Sequence, residues 1–143
     1  MISRSSWWST DIAEFFIEKK ISGIITPNYD TCLDNQLKVF NVKPIVVEDA
    51  FKKINLLDNN LYFKIHGSVD IDIDGKNLIF ALHHEGLLNP WKRELLAKMV
   101  RDKSLLIVGY SGLDFDICPI VIRNTTENCF LVCKRWKRRW SYE

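Results

Sequence analysis

Apolar positions along this chain change their spacing several times, and each change predicts an element. Ile12, Phe15 and Phe16 share one face at helical spacing. Ser9, Thr10 or Asp11 can cap that helix, and Glu14 lies three residues after Asp11, as in a capping box. Gly23 is expected to stop the helix and open the strand GIIT. Tyr29, Leu33, Leu37 and Phe40 return to helical spacing and form one apolar stripe. KPIVVE (43–48) reads as a short strand, followed by one or two helical turns in EDAFKKIN. LYFKIHG (61–67) alternates and reads as a strand ending at Gly67. VDIDIDGKNLIFAL then reads as a hairpin turning at Asp74-Gly75. Asn89-Pro90 marks the start of another helix, with Trp91, Leu95, Leu96, Met99 and Val100 on its core face. SLLIVGYSG (104–112) is apolar without alternation, the pattern of a central parallel strand. Asp114 or Asp116 can cap the short helix DICPIVIRN, and NCFLVC (128–133) is the last strand.

Strands that alternate with helices predict an α/β fold. The expected architecture is a Rossmann-like open, mostly parallel sheet with helices on both faces. Such sheets bind ligands at the carboxyl ends of their strands. Three strand ends therefore matter most: TPNYD (26–30), HGS (66–68) and GYSGLDFD (109–116). Together they hold an amide, carboxylates, an imidazole, hydroxyls and glycines. Glycine lets backbone approach a phosphate, and helix N-termini offer free N–H groups, so the set suits a phosphorylated sugar. Each piece also has a plainer use. Asn28 and Asp30 serve as turn and cap residues elsewhere, His66 as a satisfied core histidine, Gly109 as a tight turn, and Asp114 and Asp116 as caps.

Composition narrows the class. The chain has 143 residues, 47% hydrophobic and 27% charged, enough for one globular domain. No apolar run approaches the roughly 18 residues of a membrane span. MISRSSWWSTD has no apolar core of signal-peptide length, so a cytoplasmic protein is expected. The four cysteines, Cys32, Cys118, Cys129 and Cys133, form no C-x-x-C pair, and His83 and His84 lie far from them in sequence. Buried free thiols and no metal are expected. The net charge of +2 is uneven: KRWKRRWSYE (134–143) holds five basic residues and one acidic, leaving the body at net −2. A nucleic-acid-binding core is not expected, and residues 134–143 read as a basic tail.

The three strand ends carry a family resemblance. TPNYDTCLD resembles the segment of the sirtuin superfamily that opens T-x-N-[IY]-D. KIHGS resembles its K-[IL]-H-G-[ST] segment, which carries the catalytic histidine. LLIVGYSGLDFDI resembles its strand followed by G-[TY]-S-x-x-D, which holds the ADP-ribose part of the cofactor. The likeness runs over roughly residues 10 to 133, in order, and is closest to sirtuin-like domains of microbial antiviral defence proteins. The family's Gly-rich loop has no counterpart, since the chain has no G-x-G. The domain (1–133) is accordingly expected to be partial, incomplete at its N-terminus, with self-association or a partner chain covering the exposed surface. The zinc module of the deacylases is also missing, and Pro27 stands where they commonly have a ribose-contacting glutamine.

The resemblance implies NAD as ligand and substrate. Asn28 would orient the ribose or the attacking water, Asp30 would bind the nicotinamide carboxamide, and His66 would accept a proton. Thr26, Gly67, Ser68, Gly109 and Ser111 would line the rest of the cofactor, while Asp116 is expected to anchor the helix that follows it. The implied activity is NAD hydrolysis to nicotinamide and ADP-ribose. An inactive NAD- or ADP-ribose-binding module and an NAD-dependent deacylase are the alternatives.

Overall fold

The structure, a computed structural model, describes residues 6–55, 60–71, 88–110, 115–125 and 129–132. Its elements alternate as the hydrophobic pattern predicts. Helix α1 (Ser6–Glu18) leads to β1 (Gly23–Thr26), then α2 (Cys32–Leu37) with a 3₁₀ turn at Lys38–Phe40. β2 (Pro44–Ile45), the single-turn α3 (Glu48–Phe51) and β3 (Leu61–Lys64) follow. Beyond them come α4 (Pro90–Val100), β4 (Leu105–Val108), α5 (Cys118–Asn124) and β5 (Cys129–Val132). The first three strands form a parallel sheet in the order β1-β3-β2, with Ile24 beside Tyr62 and Ile25 beside Phe63. β4 and β5 form a second parallel pair. This is an open α/β sheet of Rossmann-like character.

Alternation along β1 and β3 gives the sheet two buried faces. On one face Tyr62 packs with Ile24, with Ala13 and Phe16 of α1, and with Leu37 of α2. On the other, Phe63 and Ile65 join Ile45 and the apolar side of α4, namely Trp91, Leu95, Leu96 and Val100. Trp91 stacks on Phe51 at 5.9 Å between ring centroids, which ties α3 to α4. Asn89 caps α4 as expected: its side chain accepts from Trp91 N at 3.4 Å, and Pro90 fills the first turn. Gly23 sits at a close approach: a Cβ there would stand 2.5 Å from the flexible Met99 Cε, which can give way, and 3.2 Å from the Leu61 carbonyl oxygen. No helix among the described residues is long and apolar enough to cross a membrane.

Several details differ from the pattern. α1 starts before the expected caps, so Ser9, Thr10 and Asp11 lie inside it. Ser9 is buried, and Thr10 Oγ1 donates to Gln36 Oε1 of α2. The buried side of α1 is Ser9, Ala13 and Phe16, whereas Ile12 and Phe15 are exposed. Burial follows the position of α2, which hydrophobicity alone does not reveal. The chain leaves α1 through Lys20 in the left-handed region (φ 49°), three residues before Gly23. β4, read as buried on both faces, exposes Leu106 and Val108 by more than half. Residues 69–71 form a turn, with Ile71 N donating to Ser68 O, where a first hairpin strand was expected. The remainder of that hairpin, Ser111, Asp114, His83, His84, Cys133 and the basic tail lie outside the described residues.

Candidate active site at the strand ends

The corner after β1 is built by local side-chain hydrogen bonds. Thr26 Oγ1 accepts from Asn28 N at 3.1 Å, turning the chain at Pro27. Asp30 Oδ1 accepts from Cys32 N at 2.9 Å and holds the start of α2. Asn28 and Asp30 are both exposed. The Asn28 side chain has no hydrogen-bond partner among the described residues, so its amide is the uncommitted polar group of the corner.

The loop after β3 is stitched to this corner. Ile65 N donates to Thr26 O at 3.0 Å, and Val69 N donates to Tyr29 O at 3.1 Å. Beneath them lies a buried polar cluster. The Lys64 ammonium, fully buried, donates to Asp34 Oδ2 at 2.7 Å, to Ser68 Oγ at 2.7 Å and to the Asp30 carbonyl oxygen. Asp34 Oδ1 accepts from the Tyr62 hydroxyl at 2.5 Å. Ser68 Oγ in turn donates to Asp70 Oδ1 at 2.6 Å. Burial, then the hydrogen bond and negative charge of Asp34, push the Tyr62 phenol far above its ordinary range. Ser68 is therefore placed differently from the expectation: its hydroxyl is enclosed and committed to Lys64 and Asp70. Lys64 and Asp34 were not among the expected site residues. No local pattern marks the pair, because the two residues lie 30 positions apart and meet only through the fold.

His66 leaves on the other side. Its Nε2 lies 3.2 Å from Asp116 Oδ2, and both side chains are buried. Asp116 does not anchor α5 as expected. The cap position of that helix is Ile117, and no side chain caps it. Among the described residues, Asp116 Oδ1 is buried without a hydrogen-bond partner. Gly67 (φ 97°) and Gly109 (φ 66°) both occupy conformations that side chains rarely adopt. Among the described residues nothing lies within 4 Å of where a Gly109 Cβ would stand, which leaves that side of its backbone open. Hydrogen bonds thus join the first two strand ends, and the His66–Asp116 pair ties the second to the segment after β4. Gly109 takes no part in these bonds among the described residues.

Chemically, the arrangement offers an imidazole paired with a carboxylate, an exposed amide and carboxylate on the adjoining corner, and bare backbone at Gly109. The thiols are not buried as expected: Cys32 and Cys129 are exposed, and Cys32, beside Asp30, is not a ready nucleophile, because the Asp30 hydrogen bond and charge raise its thiol above the ordinary value. No curated protein and no solved structure matches the chain. One family model, described as SIR2-like domain, matches residues 22–124 and so takes in all three strand ends. That match covers more than half of the sequence, in the order the fold requires: the chain belongs to the SIR2-like domain family.

Proposed function

We propose that this chain binds NAD at the carboxyl ends of its strands and hydrolyses the bond between nicotinamide and ribose, in the manner of a defence-associated NADase. The family is NAD-related. The observation that carries the reading is His66, held against the Asp116 carboxylate next to a corner presenting Asn28 and Asp30. In the reaction the C1′–N1 bond breaks and its electron pair neutralises the pyridinium, releasing nicotinamide. Water oxygen bonds to C1′, and its proton passes to His66. The ribose becomes cationic on the way, so nearby polar and negative groups stabilise the transition state more than the ground state. Asn28 orients the ribose or the water, and Asp30 meets the carboxamide. Thr26, Gly67 and Gly109 shape the wall, Gly109 through its backbone, with the Ser111 hydroxyl two residues further along the sequence.

The test is release of nicotinamide from NAD, followed by chromatography, for the parent and for His66→Ala. The expected loss is about 10²- to 10⁴-fold. Equal release from both removes His66 from the mechanism. A second reading, binding of NAD or ADP-ribose without turnover, is favoured by the Asp30 side chain, whose Oδ1 serves the corner by accepting from Cys32 N. It predicts saturable ADP-ribose binding by calorimetry with no nicotinamide released.

A further inference from the structure

Resting on that reading, we infer that Asp116 is the positioning residue of His66: its Oδ2 takes the Nε2–H, fixes the neutral imidazole in that tautomer, and leaves Nδ1 to receive the proton. Four observations support it. The two groups are 3.2 Å apart, within reach of a hydrogen bond. Both are more than nine-tenths buried, His66 at 7% and Asp116 at 5% exposure, so water does not compete strongly for either. Asp116 is released from the task its sequence position suggests, because α5 starts without a side-chain cap. Finally, among the described residues its other oxygen is buried with no hydrogen-bond partner, and no lysine or arginine pairs with it.

The last point separates this pair from an ordinary structural ion pair. A carboxylate kept for packing has both oxygens satisfied, since a buried acceptor without a donor costs free energy. Asp116 retains an acceptor that no described residue fills, beside a ring that gains positive charge when it takes a proton. The neutral imidazole donates from one nitrogen and accepts at the other, and the partner of the first decides which is which. With Nε2–H directed at Asp116, the accepting nitrogen is Nδ1. As His66 becomes imidazolium during turnover, the adjacent carboxylate stabilises it without needing to move. No atom of Asp116 bonds to the ligand in this step.

The tautomer is directly observable. With ¹⁵N-labelled histidine, long-range proton–nitrogen correlation spectra distinguish an Nε2–H from an Nδ1–H ring. His66 is identified among the three histidines by the signal lost in His66→Ala. The full chain is expected to show His66 as Nε2–H with Nδ1 unprotonated, and Asp116→Ala is expected to lose that preference. Asp116→Asn, which keeps the volume, guards against a variant that fails to fold. It should lower kcat for nicotinamide release by about 10²- to 10⁴-fold while KM for NAD changes by less than about threefold. A purely structural Asp116 would change thermal stability but leave the tautomer intact. An Nδ1–H ring in the parent, or an Nε2–H ring unchanged in Asp116→Ala, overturns the inference whatever the turnover. If the parent releases no nicotinamide, the hydrolase reading falls and the tautomer comparison alone decides the pairing.

Discussion

Lys64 and His66 stand two residues apart at the end of one strand, yet their partners lie on different elements and differ in kind. Lys64 reaches Asp34 on α2, and Asp34 uses both oxygens: Oδ1 for Tyr62, Oδ2 for Lys64. His66 reaches Asp116 just before α5, and among the described residues Asp116 uses one oxygen only. The first carboxylate is saturated, the second is held in reserve. Saturation suits an anchor, because a buried charge is tolerated only when its partners leave no valence open. A reserved acceptor suits a group that changes its charge or its contacts during a reaction. One strand end thus carries both a fixed support for the TPNYD corner and an imidazole with a reactive environment.

The largest effect expected from this contrast is on stability. Asp34→Ala leaves the Lys64 ammonium buried without its countercharge and should destabilise the fold by about 3–5 kcal/mol in denaturant unfolding. Asp34→Leu combined with Lys64→Met removes both charges and should recover most of that loss. Asp116→Ala gives up one charge-assisted hydrogen bond, and its expected cost is nearer 1.5–3 kcal/mol. Equal costs for Asp34→Ala and Asp116→Ala would break the comparison. The charge-free double variant sharpens it further, since Lys64 also holds the Asp30 carbonyl oxygen. It should be stable but bind NAD more weakly through a looser corner.

These two carboxylates also mark how far the sequence could be read. The order of strands and helices was legible because apolar spacing changes sharply at Gly23, Asn89 and Ser104, and β1, α4 and β4 begin at or just after these positions. Thr26, Asn28, Asp30 and His66 were legible as strand-end residues, since an open α/β sheet gathers such ends. The partners were not. Asp116 looks like a cap from its place before a helix, and only the path of the chain after β4 turns it towards His66. Lys64 looks like the solvent-facing member of an alternating strand. It is buried because α2 covers that face and offers Asp34. Ser68, read as a ligand-facing hydroxyl, is enclosed for the same reason. Tertiary pairing of polar groups across about 30 to 50 residues leaves no local pattern to find.

A smaller effect tests the saturated side through pH. The Tyr62 phenol is raised by burial and by Asp34, so the folded protein keeps its proton where the unfolded chain loses it. A group whose pKa is raised in the folded state contributes stability below its unfolded pKa, here about 10, and loses it as pH rises further. Stability of the parent should therefore decline above about pH 10 more steeply than that of Tyr62→Phe. Near neutral pH the variant should be about 0.5–1.5 kcal/mol less stable, having lost the bond to Asp34. Parallel stability curves for the two proteins above pH 10 would mean that Tyr62 is not enclosed with Asp34.

The smallest effect concerns Cys32 and bears on whether Asp30 is bound to the corner or available to a ligand. A thiol at a helix start would ordinarily be favoured as thiolate by the free N–H groups there. At Cys32 the opposite holds, first through the hydrogen bond to Asp30 and then through its charge. The thiol therefore keeps its proton to higher pH than an ordinary one. Alkylation by iodoacetamide, followed by peptide-resolved mass spectrometry, should show Cys32 reacting with a midpoint above the usual thiol range. Asp30→Asn should move that midpoint down, because the raising charge is gone while the side chain keeps its shape. NAD should move it the same way in the parent, if Asp30 turns from Cys32 to the carboxamide. A midpoint that falls with Asp30→Asn but not with NAD would keep Asp30 as a corner residue of the anchored side and leave Asn28 as the corner's polar group for the ligand.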